Sequence, residues 1–166
     1  MFFRTFVAAA AVALTFTGQA FAQEVTVGSL TLTGLWTRAT PPNAPAGGGF
    51  LTITNDGDEP DRLVAVSSPG VKTGEIHEMK VEDGVMTMRP LEDGLEIPAH
   101  GSVTLAPGGY HLMFIGLEKP FVEGEELPVT LTFAGAGSVD VVLPVAAMGS
   151  KGPSGGDGQK KMDMKQ

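Results

Sequence analysis

The side chains of sharpest chemical character are His77, Met79, Met88, His111 and Met113, set at short intervals in a chain of 166 residues with eight methionines, three histidines and no cysteine. Neutral imidazole and thioether sulfur are borderline-to-soft donors. They favour Cu(I) over Mg2+, Ca2+ or Mn2+, which take carboxylate, carbonyl and water oxygens. Zinc more commonly recruits thiolate or carboxylate. The donor types therefore point to monovalent copper.

Such donors matter only if the chain brings them together, and strand geometry offers a way. Along Ile76-His77-Glu78-Met79-Lys80-Val81, β alternation sends His77 and Met79 to one face and Ile76 and Glu78 to the other. His111 and Met113 share a face in the same manner, leaving Tyr110, Leu112 and Phe114 for the opposite, buried side. A hairpin with Asp83-Gly84 as its two-residue loop sets Met79 opposite Met88 and places His77 on the diagonal to Met88. Diagonal neighbours lie about 7 to 8 Å apart at the backbone, within reach of one ion held by two long side chains.

The expected ligand set is thus His77, Met88, His111 and Met113, with Met79 and Met86 as auxiliary sulfurs and Met86 as the main rival to Met88. All four are neutral when they bind. A d10 Cu(I) ion accepts such a set, whereas Cu(II) prefers tetragonal nitrogen and oxygen ligands. A single methionine on a strand is ordinarily core filler, so the weight rests on His-x-Met occurring twice, each time on one strand face. His100 lies in the turn Pro98-Ala99-His100-Gly101 without a sulfur near it in sequence and is left out. Trp36 and Arg38 read as packing and surface residues.

The elements that carry these residues are strands. Gly (23) and Pro (12) punctuate short runs rich in Val, Leu, Ile, Thr and Phe, the pattern of a β-sandwich or barrel. Strands are expected at 25–33, 35–38, 49–54, 62–67, 75–81, 85–91, 102–105, 109–115, 129–133 and 139–145, with no substantial helix in the mature domain. Asn55-Asp56-Gly57, Asp83-Gly84, Asp93-Gly94, Pro107-Gly108-Gly109 and Glu123-Gly124 supply the turns. Residues 41–49, Pro-Pro-Asn-Ala-Pro-Ala-Gly-Gly-Gly, are expected to form a loop.

Residues 1–22 read as an export signal: Arg4, then an apolar stretch at 6–16, then Ala20-Phe21-Ala22 as a cleavage pattern, with the mature chain starting at Gln23. The apolar run falls short of the roughly 18 to 20 residues needed to span a bilayer, so no stable membrane insertion is expected. Residues 23–148 form the single β domain. Residues 149–166, Gly-, Ser-, Lys- and Asp-rich with Met162 and Met164, lack the apolar content for a core and read as a disordered tail. The net charge of −8 argues against nucleic acid and anionic lipid as partners. A monomer is expected, stabilised by packing alone, since there are no thiols to cross-link.

Two segments carry a recognisable pattern: His77, ten residues, Met88, then His111-Leu112-Met113 within Pro107-Gly108-Gly109-Tyr110-His111-Leu112-Met113; and Trp36-Thr37-Arg38-Ala39-Thr40-Pro41-Pro42. The chain resembles the PCuAC family of bacterial periplasmic copper(I) chaperones over most of the mature domain. The resemblance implies a cupredoxin-like β-sandwich and Cu(I) as cargo. It also implies periplasmic delivery to a copper-receiving protein, a cytochrome c oxidase subunit or another copper chaperone, in assembly of the oxidase copper centres. The family motif has twenty-one residues between the first Met and the second His, and this chain has twenty-two. The extra residue is assigned to the loop between Leu91 and Ser102, because a slip inside a strand would turn ligands to the wrong face. In transfer by ligand exchange, Met113 or Met79 is expected to leave first.

Other functions find less support. No cysteine nucleophile, G-x-S-x-G or evident Ser-His-Asp set is present, so an enzyme is not expected, and a blue-copper electron carrier lacks its thiolate. The remaining alternatives are an exported β-sandwich interaction module and a copper-sequestering protein without a delivery role.

Overall fold

The computed structural model describes residues 23–153. The expected export signal and the sulfurs of Met162 and Met164 lie outside the described residues. Eleven strands and no helix make up the described chain: β1 (Val25–Val27), β2 (Leu30–Arg38), β3 (Ala46–Asn55), β4 (Asp61–Ser67), β5 (Val71–Glu82), β6 (Val85–Pro90), β7 (Leu95–Ile97), β8 (Gly101–Leu105), β9 (Tyr110–Leu117), β10 (Glu126–Phe133) and β11 (Gly137–Ala146).

The strands hydrogen-bond in the order β6-β5-β9-β3-β2-β11-β10-β4-β7, with β1 added to β2 and β8 to β3. This path folds into a cupredoxin-like β-sandwich. β11 joins the layers: its residues up to Pro144 pair with β10, while Val145 and Ala146 pair in parallel with Thr37 and Arg38 of β2. Pro144, which has no N–H to give to a ladder, stands where the strand changes partners. Alternate residues of both layers meet in one core, in which Leu32, Ile53, Leu63, Phe114, Leu131 and Leu143 are fully buried.

Three local differences from the sequence reading have physical causes. The run Ala46 to Gly49 is the first half of β3, not loop. Its glycines serve close packing rather than turning: a Cβ on Gly49 would lie 2.9 Å from carbons of both Leu143 and Phe114, and one on Gly47 would lie 2.6 Å from the Phe121 ring. The expected 25–33 and 35–38 strands divide differently: β1 and β2 form a hairpin through Val27↔Leu30, and β2 runs on through a bulge at Thr33–Trp36, with Gly34 at φ +59°. β7, a three-residue strand, was not foreseen because it is too short to show alternation.

Candidate metal centre

The β5–β6 hairpin has the register expected from its turn. Glu82 faces Val85 and Met79 faces Met88, and Asp83 and Gly84 both take positive φ (50° and 77°), as a two-residue type I′ loop requires. Met86 lies opposite Val81, two residue pairs beyond Met88. The hairpin is braced on its other face, where Arg89 Nε and Nη2 donate to Glu78 Oε2 at 2.9 and 2.7 Å. The guanidinium holds the Glu78 carboxyl below its usual range, against the opposing effect of burial.

β9 lies along the other side of β5, and there His77 faces His111 directly, Ile76 faces Leu112, and Glu75 faces Met113. The expected division of faces follows. Ile76, Leu112 and Phe114 are buried in the core, while His77, Met88, His111 and Met113 share the opposite face of β6-β5-β9, with Met79 beside them. The two imidazole centroids are 5.6 Å apart at an interplanar angle of 51°. His77 and His111 are themselves buried, at 8% and 5% exposure, whereas Met88 is 46% and Met86 66% exposed. Met79 and Met113 are half-buried.

A depression of about 280 Å³ opens on this face, walled by Met79, His111, Met113, Arg38, Phe50 and Gly48 among others. His77 and Met88 stand one strand away, each paired with a wall residue. Arg38 and Phe50 are site neighbours that sequence reasoning placed elsewhere or passed over. The Arg38 guanidinium lies 5.8 Å from the Trp36 ring centroid and 5.5 Å from that of Phe50, a cation–π arrangement, and its Nε donates to the Ser150 carbonyl at 2.6 Å. That bond reaches a residue beyond position 148. The signal that could have found Phe50 is its β2–β3 register: Trp36 faces Phe50, and Gly48 faces Met113.

Hydrogen bonds orient the rings. His111 Nδ1 lies 3.1 Å from the Gly109 carbonyl; since a carbonyl only accepts, Nδ1 carries the proton and Nε2 presents a lone pair. The same carbonyl accepts from the Met79 N–H at 3.1 Å, tying two wall residues to one anchor. Burial lowers the His111 pKa below its ordinary value, the Gly109 bond opposes this, and the neighbouring His77 adds to the lowering. His77 Nε2 lies 2.7 Å from Glu75 Oε2. Among the described residues, His77 Nδ1 is the buried side-chain nitrogen left without a partner.

No three His, Cys, Asp or Glu side chains converge among the described residues. On this face the further side-chain donors beside the two imidazoles are thioether sulfurs, which favour a soft ion. A wider depression of about 560 Å³, bordered by Asp58, Glu59 and Asp61, has neither sulfur nor imidazole in its wall. His100 is at the same end of the molecule, bonded to Asp58 at 2.8 Å, apart from the other two histidines.

Residues 30–145 match the family described as "Putative lipoprotein LpqE-like", and the chain belongs to that family. A curated protein of Leifsonia xyli subsp. xyli, "Putative lipoprotein Lxx21020", is 33% identical over 96 residues; the match covers 58% of each chain. Among solved structures, the copper-bound PCuAC domain from PmoF2 superposes with a TM-score of 0.65 at 27% identity, covering 75% of this chain and 98% of that one. The apo PCuAC domain from PmoF1 gives 0.64 at 29%, covering 75% and 99%. The CuI form of DR1885 from Deinococcus radiodurans gives 0.55 at 28%, covering 78% and 85%.

Proposed function

We propose that this protein is an exported Cu(I) carrier that holds the ion between β5, β6 and β9 and hands it to a copper-receiving protein. The observation that carries the reading is the direct pairing of two buried imidazoles, with centroids 5.6 Å apart, on a face where thioethers supply the remaining soft donors. The likeness to copper-bound PCuAC domains supports it. His77, His111, Met113 and Met88 are the proposed ligands, with Met79 the nearest auxiliary sulfur and Met86 the more distant one.

Neutral thioethers bind Cu(I) less firmly than thiolates, which suits a cargo that must leave. Met88 is the most exposed of the four ligands, so it is the one to exchange first with an incoming donor. It is placed ahead of Met79 and Met113, which are half-buried. The expected acceptor is a copper-centre subunit of cytochrome c oxidase or a further chaperone. The role is one of carriage, without catalysis. Export through cleavage after Ala22 completes the reading, and the periplasm is the proposed compartment. No helix among the described residues is long and apolar enough to cross a membrane. These 166 residues contain no cysteine, so none of them can carry a thioether-linked lipid.

X-ray absorption of the Cu(I) form, with His77→Ala and Met88→Leu beside it, tests the site. The reading expects mixed nitrogen and sulfur neighbours, one nitrogen fewer in the first variant and one sulfur fewer in the second. Neighbour counts identical in all three proteins would overturn the assignment.

A further inference from the structure

The two histidines are held by different nitrogens, and the difference has a chemical consequence. His111 is held through Nδ1 by a backbone carbonyl, whereas His77 is held through Nε2 by the Glu75 carboxylate. A carboxylate accepts and does not donate when ionised, so His77 Nε2 carries the proton. In the neutral ring Nδ1 is then a bare lone pair, and it is buried with no protein group to satisfy it. An unsatisfied buried polar atom is destabilising, and among the described residues His77 Nδ1 is the side-chain atom that persists in this condition.

We propose that Glu75 is a positioning residue, which locks His77 in its Nε2–H form so that Nδ1 becomes the copper donor, while His111 donates through Nε2. Glu75 sits two residues before His77 on the same face of β5, opposite Met113 on β9. Its side chain is 37% exposed, against 11% for that of His77. It thus reaches the ring from the solvent side. The arrangement is the carboxylate–histidine pairing that fixes tautomer and raises donor basicity at metal sites. Loss of such a partner weakens metal binding about 10- to 100-fold. The inference rests on the carrier reading, but its first readout needs no copper.

Long-range proton–nitrogen correlation spectra of the copper-free protein at neutral pH report which ring nitrogen holds each proton. The expected pattern is Nε2–H for His77 and Nδ1–H for His111. Adding Cu(I) under reductant should then shift the bare Nδ1 of His77 and the bare Nε2 of His111. Glu75→Gln, whose amide oxygen still accepts, should keep the His77 pattern and bind Cu(I) within a few-fold of the parent. Glu75→Ala should scramble the tautomer and weaken binding at least about 10-fold. An Nδ1–H pattern for His77 in the parent, or an unchanged pattern in Glu75→Ala, overturns the proposal; the parent and Gln spectra decide it even if the Ala variant does not fold. If the tautomers are as stated but Cu(I) moves neither ring, the carrier reading fails and the donor assignment falls with it, while the Glu75 hydrogen bond stands.

Discussion

The burial of His111 makes it a proton-sensitive residue of a particular sign. Its lowered pKa arises first from desolvation, so the folded chain resists protonating it while the unfolded chain takes up that proton near the ordinary value of about 6.5. Below that pH the unfolded state binds more protons and stability falls. The loss levels off once the pH has passed beneath the folded value. Thermal melts of the copper-free protein from about pH 7.5 down to 5 should show this decline, and His111→Gln should flatten it. The same lowering keeps His111 available to copper at pH values where an exposed histidine is already a cation. The sulfurs divide by position. Met88→Leu is expected to weaken Cu(I) binding by about 10-fold or more, roughly 1.4 kcal/mol, in a competition titration with a chromophoric chelator. Met86→Leu, two residue pairs further from the histidines, should change affinity by less than about 2-fold.

The hairpin of β5 and β6 is the element on which the sulfur geometry depends. Asp83-Gly84 sets its register through two positive φ angles, and Glu78 with Arg89 clamps it from the other face. One residue inserted within β6, between Thr87 and Met88, would turn the side chains after it to the opposite face, and Met88 would leave the site. Such an insertion is expected to weaken Cu(I) binding as much as Met88→Leu does, with circular dichroism showing the sandwich intact, because β6 is an exposed edge. β3 is an element of the opposite kind, fixed by close packing. Gly49→Ala presses a methyl group onto Leu143 and Phe114, and overpacking of this sort costs about 1 to 3 kcal/mol. A denaturant midpoint displaced downward with an unchanged slope is the expected outcome.

At the scale of the whole molecule, a Cys-free sandwich that binds an ion only when folded should be stabilised by that ion. With free Cu(I) at about 1,000 times its dissociation constant, the gain is about 4 kcal/mol, read as a rise in melting temperature under reductant. Zn2+ at the same concentration should raise it far less, since no three His, Cys, Asp or Glu side chains converge among the described residues and thioether sulfur is a poor partner for it. An equal response to both ions would contradict the soft-donor argument. The acidic surface, with a net charge of −8, attracts cations generally but does not choose among them; that choice lies in the donor atoms.

Alternation and turn chemistry made the β architecture, the hairpin register, the common face of His77, Met79 and Met88, and that of His111 with Met113 legible in the sequence. These are local consequences of a two-residue period and an Asp-Gly loop, needing no knowledge of distant contacts. The tertiary structure decided what depends on which strands become neighbours. It set His77 directly against His111 across β5 and β9, and brought Arg38 and Phe50 to the wall from β2 and β3. It made strand of the Gly47 to Gly49 run, because side chains from the other layer and from Phe121 fill the space a Cβ would need. It left Met113 and Met79 half-buried and Met88 exposed, a difference in access to an incoming donor that alternation along one strand does not show. Glu75 shows the boundary best: its place two residues before His77 is plain in the sequence, but only the folded ring, bonded at one nitrogen and unpartnered at the other, gives that spacing a role.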